Sequence, residues 1–488
     1  MSNGGNAKLL AQHFTPPAVA QLVWDAVRTL AGKDLGTGAR VIDPAAGEGA
    51  LLAAVGRAYQ TTGIEIDAGL AERGRSQADR FYTGDGLLGT FPEVTDETFD
   101  CVLANPPFGK LGPMLHLFGA DGPCRLAQRF GLLDGQKQMR SFPVELLFIE
   151  RSLQLIRPTG WMALILPEGF LANARRQGVR DWLLARAEVR AVVALPGAFN
   201  KVQTALVVLR RSKSLARTKA RLIAPVGKRP SVEQYAQHAR LLLGASARRE
   251  SEAAILSIGQ RALRAQRWDP RFWQGRAAVR RLAGRLRLVP LGEYICHLTY
   301  GPIVTGSRPQ HVEAGVPVIR QGNIAETGLD ERALLCVAPA GAHDPPRSRV
   351  RLGDLLLSRS GSGALGRNRL AVYLGSKPAN VGCFVDLIRL EGLNPFYAWF
   401  FFKTRLGREQ IAACANGVGT PNISFGEIRA LQIAALPAAY QDALERRYRE
   451  QVWPLHCRRE RADIRAEAER CFRTIVGDLE DYLQTRRQ

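Results

Sequence analysis

The residues with the most chemical content form the tetrapeptide Asn105-Pro106-Pro107-Phe108, which directly follows the apolar run Phe99-Asp-Cys-Val-Leu-Ala104. The Asn105 amide oxygen and the Pro106 carbonyl place two hydrogen-bond acceptors on one stiff loop, since neither proline has an N–H and both have a fixed φ. Paired acceptors suit a planar exocyclic amine. Its nitrogen is a poor nucleophile because the lone pair is delocalised into the ring. Accepting both hydrogens pulls that nitrogen towards tetrahedral geometry and aims the lone pair at an electrophile. Phe108 adds a ring on which a flat, extruded base can stack. Such chemistry needs neither a metal nor a covalent intermediate. The eight cysteines show no Cys-x-x-Cys spacing, so neither a zinc site nor a disulfide framework is expected.

A partner for that loop lies upstream. Asp43-Pro-Ala-Ala-Gly-Glu-Gly49 follows the run Arg40-Val-Ile-Asp43 and precedes a helical stretch from Ala50 to Tyr59. Small residues let the backbone approach a ligand, and a helix N-terminus supplies free N–H groups. Glu65 ends the next strand, where a carboxylate can accept from ribose hydroxyls. Asp85, in Thr83-Gly-Asp85, is placed to accept from an adenine amino group. A dinucleotide fingerprint needs a third glycine, and position 52 is Leu, which disfavours NAD. A tight bend without a ligand is the competing reading of this turn.

These residues must be positioned by a parallel α/β sheet, because short β-branched runs alternate with helical stretches over residues 1–210. Strands are expected at Arg40–Asp43, Thr62–Glu65, Phe99–Ala104, Trp161–Leu166, Ala191–Leu195 and Thr204–Leu209. Both chemical loops then sit at the carboxyl edge, where open α/β sheets bind ligands. Residues 211–290 are Arg- and Ala-rich and read as a basic helical connector. A smaller α/β unit is expected over 291–437, with one aromatic helix at Asn394–Phe402. Residues 438–488 read as a long charged helical segment, interrupted near Pro454.

At 488 residues the chain calls for two or three domains. No apolar run is long enough to span a bilayer and no signal pattern opens the chain, so a cytoplasmic location is expected. The net charge of +22 is unevenly spread: residues 1–200 hold 20 basic and 20 acidic residues, and residues 201–300 hold 21 basic against 5 acidic. Such a bias favours a polyanion through counterion release. Arginines on solvated faces are the bland alternative.

Taken together, Gln12-His-Phe-Thr-Pro16, the Asp43–Gly49 turn and Asn105-Pro-Pro-Phe108 resemble the gamma-class N6-adenine-specific DNA methyltransferases, among them the modification subunits of type I restriction–modification systems. The match covers about residues 8–210. The resemblance implies a Rossmann-like class I methyltransferase fold, S-adenosylmethionine as cofactor and double-stranded DNA as substrate. It implies further that Thr15 helps hold the methionine end, that Asp43, Ala45 and Gly47 line the methionine and ribose, and that Glu65 takes the ribose hydroxyls and Asp85 the adenine. Asn105, Pro106, Pro107 and Phe108 become the catalytic loop. Gly197-Ala-Phe-Asn-Lys-Val-Gln-Thr204 looks like a second stacking motif, with Phe199 on the other face of the flipped base; an ordinary core aromatic competes with that reading.

Residues 291–437 resemble a target-recognition domain of type I specificity subunits, through Leu291-Gly-Glu-Tyr294, Gly315-Val-Pro-Val-Ile-Arg-Gln-Gly-Asn-Ile324, Gly353-Asp-Leu-Leu-Leu-Ser-Arg-Ser360 and Thr420-Pro-Asn-Ile-Ser424. Arg320, Gln321, Asn323, Ser358 and Arg359 have the side-chain types that read base edges or phosphates. Specificity subunits carry two such domains and this chain carries one, so a homodimer through residues 440–484 would restore the pair; folding back on its own domain is the alternative. With no nuclease signature, cleavage is expected to belong to a separate restriction nuclease. Three other functions remain open. The same tetrapeptide serves RNA-base and protein-glutamine methyltransferases, and a catalytically inert DNA-binding module would keep the second half alone. Absence of S-adenosylmethionine binding would mark that last case.

Overall fold

The computed structural model describes residues 14–136, 138–196, 203–212, 218–224, 231–244, 255–264, 266–283, 286–304, 311–332, 334–361, 365–375, 378–414 and 422–485. The chain divides into two compact units, Met1–Pro270 and Arg271–Gln488. No described helix is long and apolar enough to cross a membrane.

The first unit is built on nine strands: β1 (Arg40–Asp43), β2 (Gln60–Glu65), β3 (Arg80–Thr83), β4 (Phe99–Ala104), β5 (Ile156–Pro167), β6 (Ala187–Ala194), β7 (Thr204–Arg211), β8 (Lys219–Ile223) and β9 (Ile255–Gly259). Their order across the sheet is β3-β2-β1-β4-β5-β7-β6-β8-β9. Strands β1 to β5 are parallel, and β7 is inserted antiparallel between β5 and β6. This is the α/β, Rossmann-like class I methyltransferase arrangement. Alternation of side chains along each strand divides them between two faces. Val41, Cys101, Leu103, Trp161 and Ala163 meet the helix Pro17–Ala31, which buries Val19, Leu22, Val23, Trp24 and Val27 at helical spacing. Pro17 starts that helix at the position where a missing N–H costs nothing, and Gly32 ends it at φ 54°. The helix Val144–Leu155 packs on β4 and β5 outside that cluster and so covers the opposite face.

The topological consequence is that β1, β2, β3 and β4 all end at one edge. Asp43 is in register with Gly63 and Glu65 with Thr83, while Ile42 pairs with Val102. Asp43, Glu65, Asp85 and Asn105 therefore stand in a row just beyond the sheet.

Residues 211–290 are not a helical connector. Strands β8 and β9 extend the sheet of the first unit, with β8 parallel to β6, and the helix Val232–Gly244 packs against Pro17–Ala31. Only Pro270–Ala283 is a helix leading into the second unit. Each hidden strand is a run of five residues, Lys-Ala-Arg-Leu-Ile and Ile-Leu-Ser-Ile-Gly, flanked by arginine-rich sequence that obscures its alternation.

The second unit holds a four-stranded antiparallel sheet in the order Ile295–Tyr300, Val385–Leu390, Leu355–Ser358, Leu370–Val372. Beside it lies a mixed three-stranded sheet of Leu335–Val337, Val316–Ile319 and Asn380–Val381. The expected aromatic helix is Pro395–Lys403, capped by Asn394, whose side chain accepts from the Phe396 N–H. Every residue from Phe396 to Lys403 is buried. Lys403 at its end is paired with Glu326 at 2.9 Å.

The C-terminal segment runs as helices Ala438–Arg447, Trp453–Cys457 and Ala462–Thr485, with a π-turn at Tyr448–Val452 just before Pro454. Pro454 has no N–H for the helical ladder, and the widened turn ahead of it absorbs that loss. The last helix does not present its apolar face to a second copy. Phe472, Ile475, Val476, Leu479 and Leu483 are buried in the core of the same unit, with Phe472 4.9 Å from Trp399 between ring centroids. The expected dimer seam is thus covered within the chain by fold-back.

Phe472→Ala should cost about 3–5 kcal/mol of stability in the second unit, by leaving a cavity beside Trp399. The unfolding midpoint should be independent of protein concentration. A midpoint that rises with concentration would restore the dimer seam.

Candidate active site

The row of residues at the carboxyl edge opens onto a cleft with about 750 Å³ of empty space, open solvent included. Its walls include Phe14, Ala45, Gly47, Glu65, Asp85, Asn105 and Pro107. Two glycines explain how these loops converge. Gly47 adopts φ 56°, a left-handed conformation that costs a side-chain residue strain, and it has open space where a Cβ would stand. At Gly86 a Cβ would lie 1.9 Å from the Pro44 carbonyl oxygen, so only glycine lets the loop after β3 press against the loop after β1. That contact brings Asp85 beside the turn.

Three carboxylates are held by peptide N–H groups. Asp43 accepts from Ala45 N–H at 2.9 Å. Glu65 takes Gly47 N–H on one oxygen at 2.8 Å and Asp67 N–H on the other at 2.9 Å. Asp85 accepts from Leu87 at 2.9 Å and Leu88 at 3.1 Å. None of the three forms an ion pair with a described residue. Burial pushes the Asp43 carboxyl up to about 8, partly offset by the Ala45 N–H and reinforced by the neighbouring charge of Glu65. Burial likewise raises Glu65 and Asp85 above the usual carboxylate range. Poorly solvated carboxyl groups around an open glycine turn fit a cationic ligand, which favours their ionised forms. S-adenosylmethionine, with its sulfonium and ammonium groups, matches that requirement. Ile66, Leu70 and Leu87 supply apolar wall for a flat ring.

Asn105 is fixed differently. Its amide Nδ2 donates to the Thr15 hydroxyl at 3.0 Å, which leaves Oδ1 as the face of the amide that accepts. Thr15 thus touches the Asn105 loop directly. Pro106 is buried and Pro107 lines the cleft. Phe108 is half-buried against the core cluster of the first unit and is not among the cleft-lining residues. Phe199 lies outside the described residues. Sequence reasoning missed an apolar wall of Met114, Leu117, Phe118, Val144 and Phe148, and it missed Phe14, which lines the cleft while 59% exposed. The signal was present in Val144 and Phe148, one helical turn apart on a helix that begins just beyond Pro143.

In the second unit only part of the expected DNA-contacting set stays at the surface. Ser358 is 0% exposed, inside a central strand. Asn323 is buried, bonding Arg320 N–H through Oδ1 and the Asp330 carbonyl through Nδ2 to close a turn. Arg359 is stacked 4.0 Å over the Tyr300 ring and paired at 3.3 Å with buried Asp386. Those three positions are structural. Burial pushes Asp386 up to about 7 despite Arg359. Arg320 is exposed and, with half-buried Gln321, lines a hollow that also contains His311, His343 and the exposed rings and chains of Phe384 and Ile303.

A cation can use the Asp43 charge only when that group is ionised. S-adenosylmethionine should therefore bind more tightly as pH rises from roughly 6 to about 8, releasing a proton as it binds. Without ligand the sign reverses: the folded state keeps a proton that the unfolded chain loses above 3.8, so stability falls as pH rises through that window. Calorimetry in two buffers of different ionisation enthalpy reads the proton release, and Asp43→Asn should flatten the pH dependence. Affinity that is constant over this range would rule the account out.

Comparison with known proteins gives three findings. The Eco57I restriction-modification methylase family matches residues 63–200. Defense against restriction protein B of Escherichia phage P1 is 26% identical over 212 residues, which is 42% of this chain and 8% of that protein, so the chain spans only a small part of that relative. Among solved structures, the type IIG restriction endonuclease BpuSI aligns over 97% of this chain and 66% of its own, at 14% identity and a TM-score of 0.49. The type I restriction–modification methyltransferase subunit from Streptococcus thermophilus aligns over 51% of this chain and 56% of its own, at 19% identity and a TM-score of 0.40. Residues 63–200, which carry Glu65, Asp85 and Asn105, thus match a methylase domain of the Eco57I restriction–modification type, and the cofactor that such a match implies is S-adenosylmethionine.

Proposed function

We propose that the chain is a site-specific DNA adenine N6-methyltransferase, serving as the modification enzyme of a restriction–modification or related defence system. One observation carries this reading: Asn105 and Pro107 line the same cleft as Gly47, Glu65 and Asp85. The acceptor loop and the cofactor turn thereby face one space. Family similarity over residues 63–200 supports the same reading.

When bound, S-adenosylmethionine supplies an electrophilic methyl group. Glu65 accepts from the ribose hydroxyls, Asp85 from the adenine amino group of the cofactor, and the Gly47 turn gives the methionine portion room. With Nδ2 held by Thr15, Asn105 Oδ1 accepts one hydrogen of the target amine and the Pro106 carbonyl accepts the other. A nitrogen–carbon bond forms as the carbon–sulfur bond breaks, and the nitrogen then loses a proton to water. Phe108 follows on the same loop, and stacking on a base extruded from the duplex requires its ring to turn from the core cluster towards the cleft. In the second unit, Arg320 and Gln321 are the residues of the expected set whose chemistry suits base-edge contacts.

Asn105→Ala should lower methyl transfer by at least about 10²–10³-fold, leaving cofactor and duplex binding nearly intact. Methylation-sensitive long-read sequencing of DNA from expressing cells identifies base and site together. Retained modification by Asn105→Ala, or wild-type protein that leaves every adenine unmodified, would overturn the reading. Thr15→Val should lower kcat about 10-fold, the equivalent of one hydrogen bond, with KM for both substrates unchanged, and Thr15→Ser should restore it. A rise in KM for the cofactor alone would return Thr15 to the methionine end.

A further inference from the structure

A second hollow in the Arg271–Gln488 unit, of about 1440 Å³ open volume, is lined by His297, Arg347, Arg349, Arg351 and Arg389. Two carboxylates lie among these cations, and both are sunk beneath them. Asp344 is 0% exposed, whereas its partner Arg349 is 42% exposed. Asp354 is 1% exposed beneath Arg389 at 20%. Each acid is gripped by both arms of its guanidinium, with distances of 3.0 Å from Arg349 Nε to Asp344 and 2.8 Å from Arg389 Nε to Asp354. Further donors hold the acids in place: Asn380 Nδ2 and Ala340 N–H on Asp344, and Arg351 N–H on Asp354. The two acids are therefore buried and satisfied, and they fix Arg349 and Arg389 among the cations that line the hollow. Arg347 and Arg351 are exposed and form no ion pair with any described residue. His297 Nε2 donates to the Arg347 carbonyl at 2.8 Å and ties that residue to the four-stranded sheet.

The geometry points to this rim as a clamp on the phosphate backbone of duplex DNA, with Arg347 and Arg351 as the phosphate-contacting residues. The inference rests on the DNA reading above and assigns it a surface. Two facts favour a duplex as the occupant. The hollow is far wider than one phosphate group and its outward charge is uniformly positive, as a run of backbone requires. It also lies next to the hollow that contains Arg320. His343 lines that hollow and Arg347 this one, four residues apart; Val381 lines that hollow and Pro378 this one, three apart. At a maximum of about 3.6 Å per residue, the two are separated by no more than roughly 14 Å. A major groove is about 12 Å wide, so one duplex is broad enough to lie across the facing edges of both hollows. Arg349 and Arg389, held by buried carboxylates, keep positive charge in place beside the hollow, while the guanidinium groups of Arg347 and Arg351 are not committed to a carboxylate of the described residues and can meet phosphate oxygens.

The test uses the full-length protein and a 30-base-pair duplex of arbitrary sequence, with anisotropy titrations from about 50 to 300 mM salt. The variant Arg347→Ala/Arg351→Ala should bind more weakly, and its slope of log affinity against log salt should be shallower by about 1.8, at roughly 0.9 for each phosphate that is no longer neutralised. The weakening should be equal for any duplex sequence, and S-adenosylmethionine binding should be unchanged. Both side chains are exposed, so an unaltered unfolding midpoint confirms that the fold is kept. An unchanged slope overturns the clamp, as does an equal weakening for single-stranded RNA of the same length. Failure of adenine methylation would leave this measurement readable, because it scores binding alone.

Discussion

Three carboxylates anchored by peptide N–H groups, rather than by cations, set the terms of the first unit. Asp43, Glu65 and Asp85 each sit where a parallel strand ends, and their backbone partners lie in the loops that follow. Each loop is thus shaped by the acid that it solvates: the Gly47 turn is drawn to Glu65, and the Gly86 backbone is drawn against Pro44. Desolvation leaves all three acids with raised pKa values. In a pairing-poor interior that is a standing cost, and it is relieved by a ligand that brings positive charge to the cleft. The sheet's parallel register is what gathers the acids at one edge, so the fold and the electrostatics are the same constraint seen at two scales.

Much of this was legible in the sequence because the relevant signals are local. A strand followed by a small-residue turn, an acid at the end of the next strand, and a doubled proline after Asn105 each span fewer than eight residues. All six expected strands of the first unit coincide with observed ones. What stayed hidden depends on contacts distant in sequence. Thr15 and Asn105 are 90 residues apart, and nothing in either neighbourhood announces their hydrogen bond. Strands β8 and β9 are recruited by an existing sheet edge, although their own composition is basic. Ser358 and Arg359 have the chemistry of surface readers, yet a central strand buries one and an aromatic ring with Asp386 occupies the other. Side-chain type alone cannot distinguish a guanidinium that faces solvent from one that closes a core.

The same distinction explains why the net charge is a coarse guide to a binding surface. Counting Asp344 and Asp354 against Arg349 and Arg389 gives zero, but depth separates the signs. Acids at the floor are screened from solvent by the cations above them, and the potential outside the hollow is that of the rim. An excess of basic residues spread over a sequence becomes a patch only where burial sorts charges in this way. The tightly hydrogen-bonded acids also fix where Arg349 and Arg389 point.

The make-up of the methylase cleft narrows the chemistry that it can perform. Glu65 and Asp85 are the ionisable groups among its described lining residues, which include no His, Lys, Ser or Cys. Neither acid is placed as a nucleophile, because both oxygens of each already accept backbone N–H groups. The nearby Cys101 thiol is sealed inside β4, where burial pushes its pKa far above the thiol range. Among the described lining residues no thiol is placed to attack a ring carbon. The proposed reaction is transfer to an atom that is already weakly nucleophilic and gains reactivity when its hydrogens are accepted. For such an atom proton loss follows bond formation, since the nitrogen becomes acidic only once it carries the new carbon. A strong base would gain nothing there. Rigid neutral acceptors are the better catalyst, and an amide whose orientation is fixed by Thr15, next to a proline carbonyl that cannot rotate away, provides two of them.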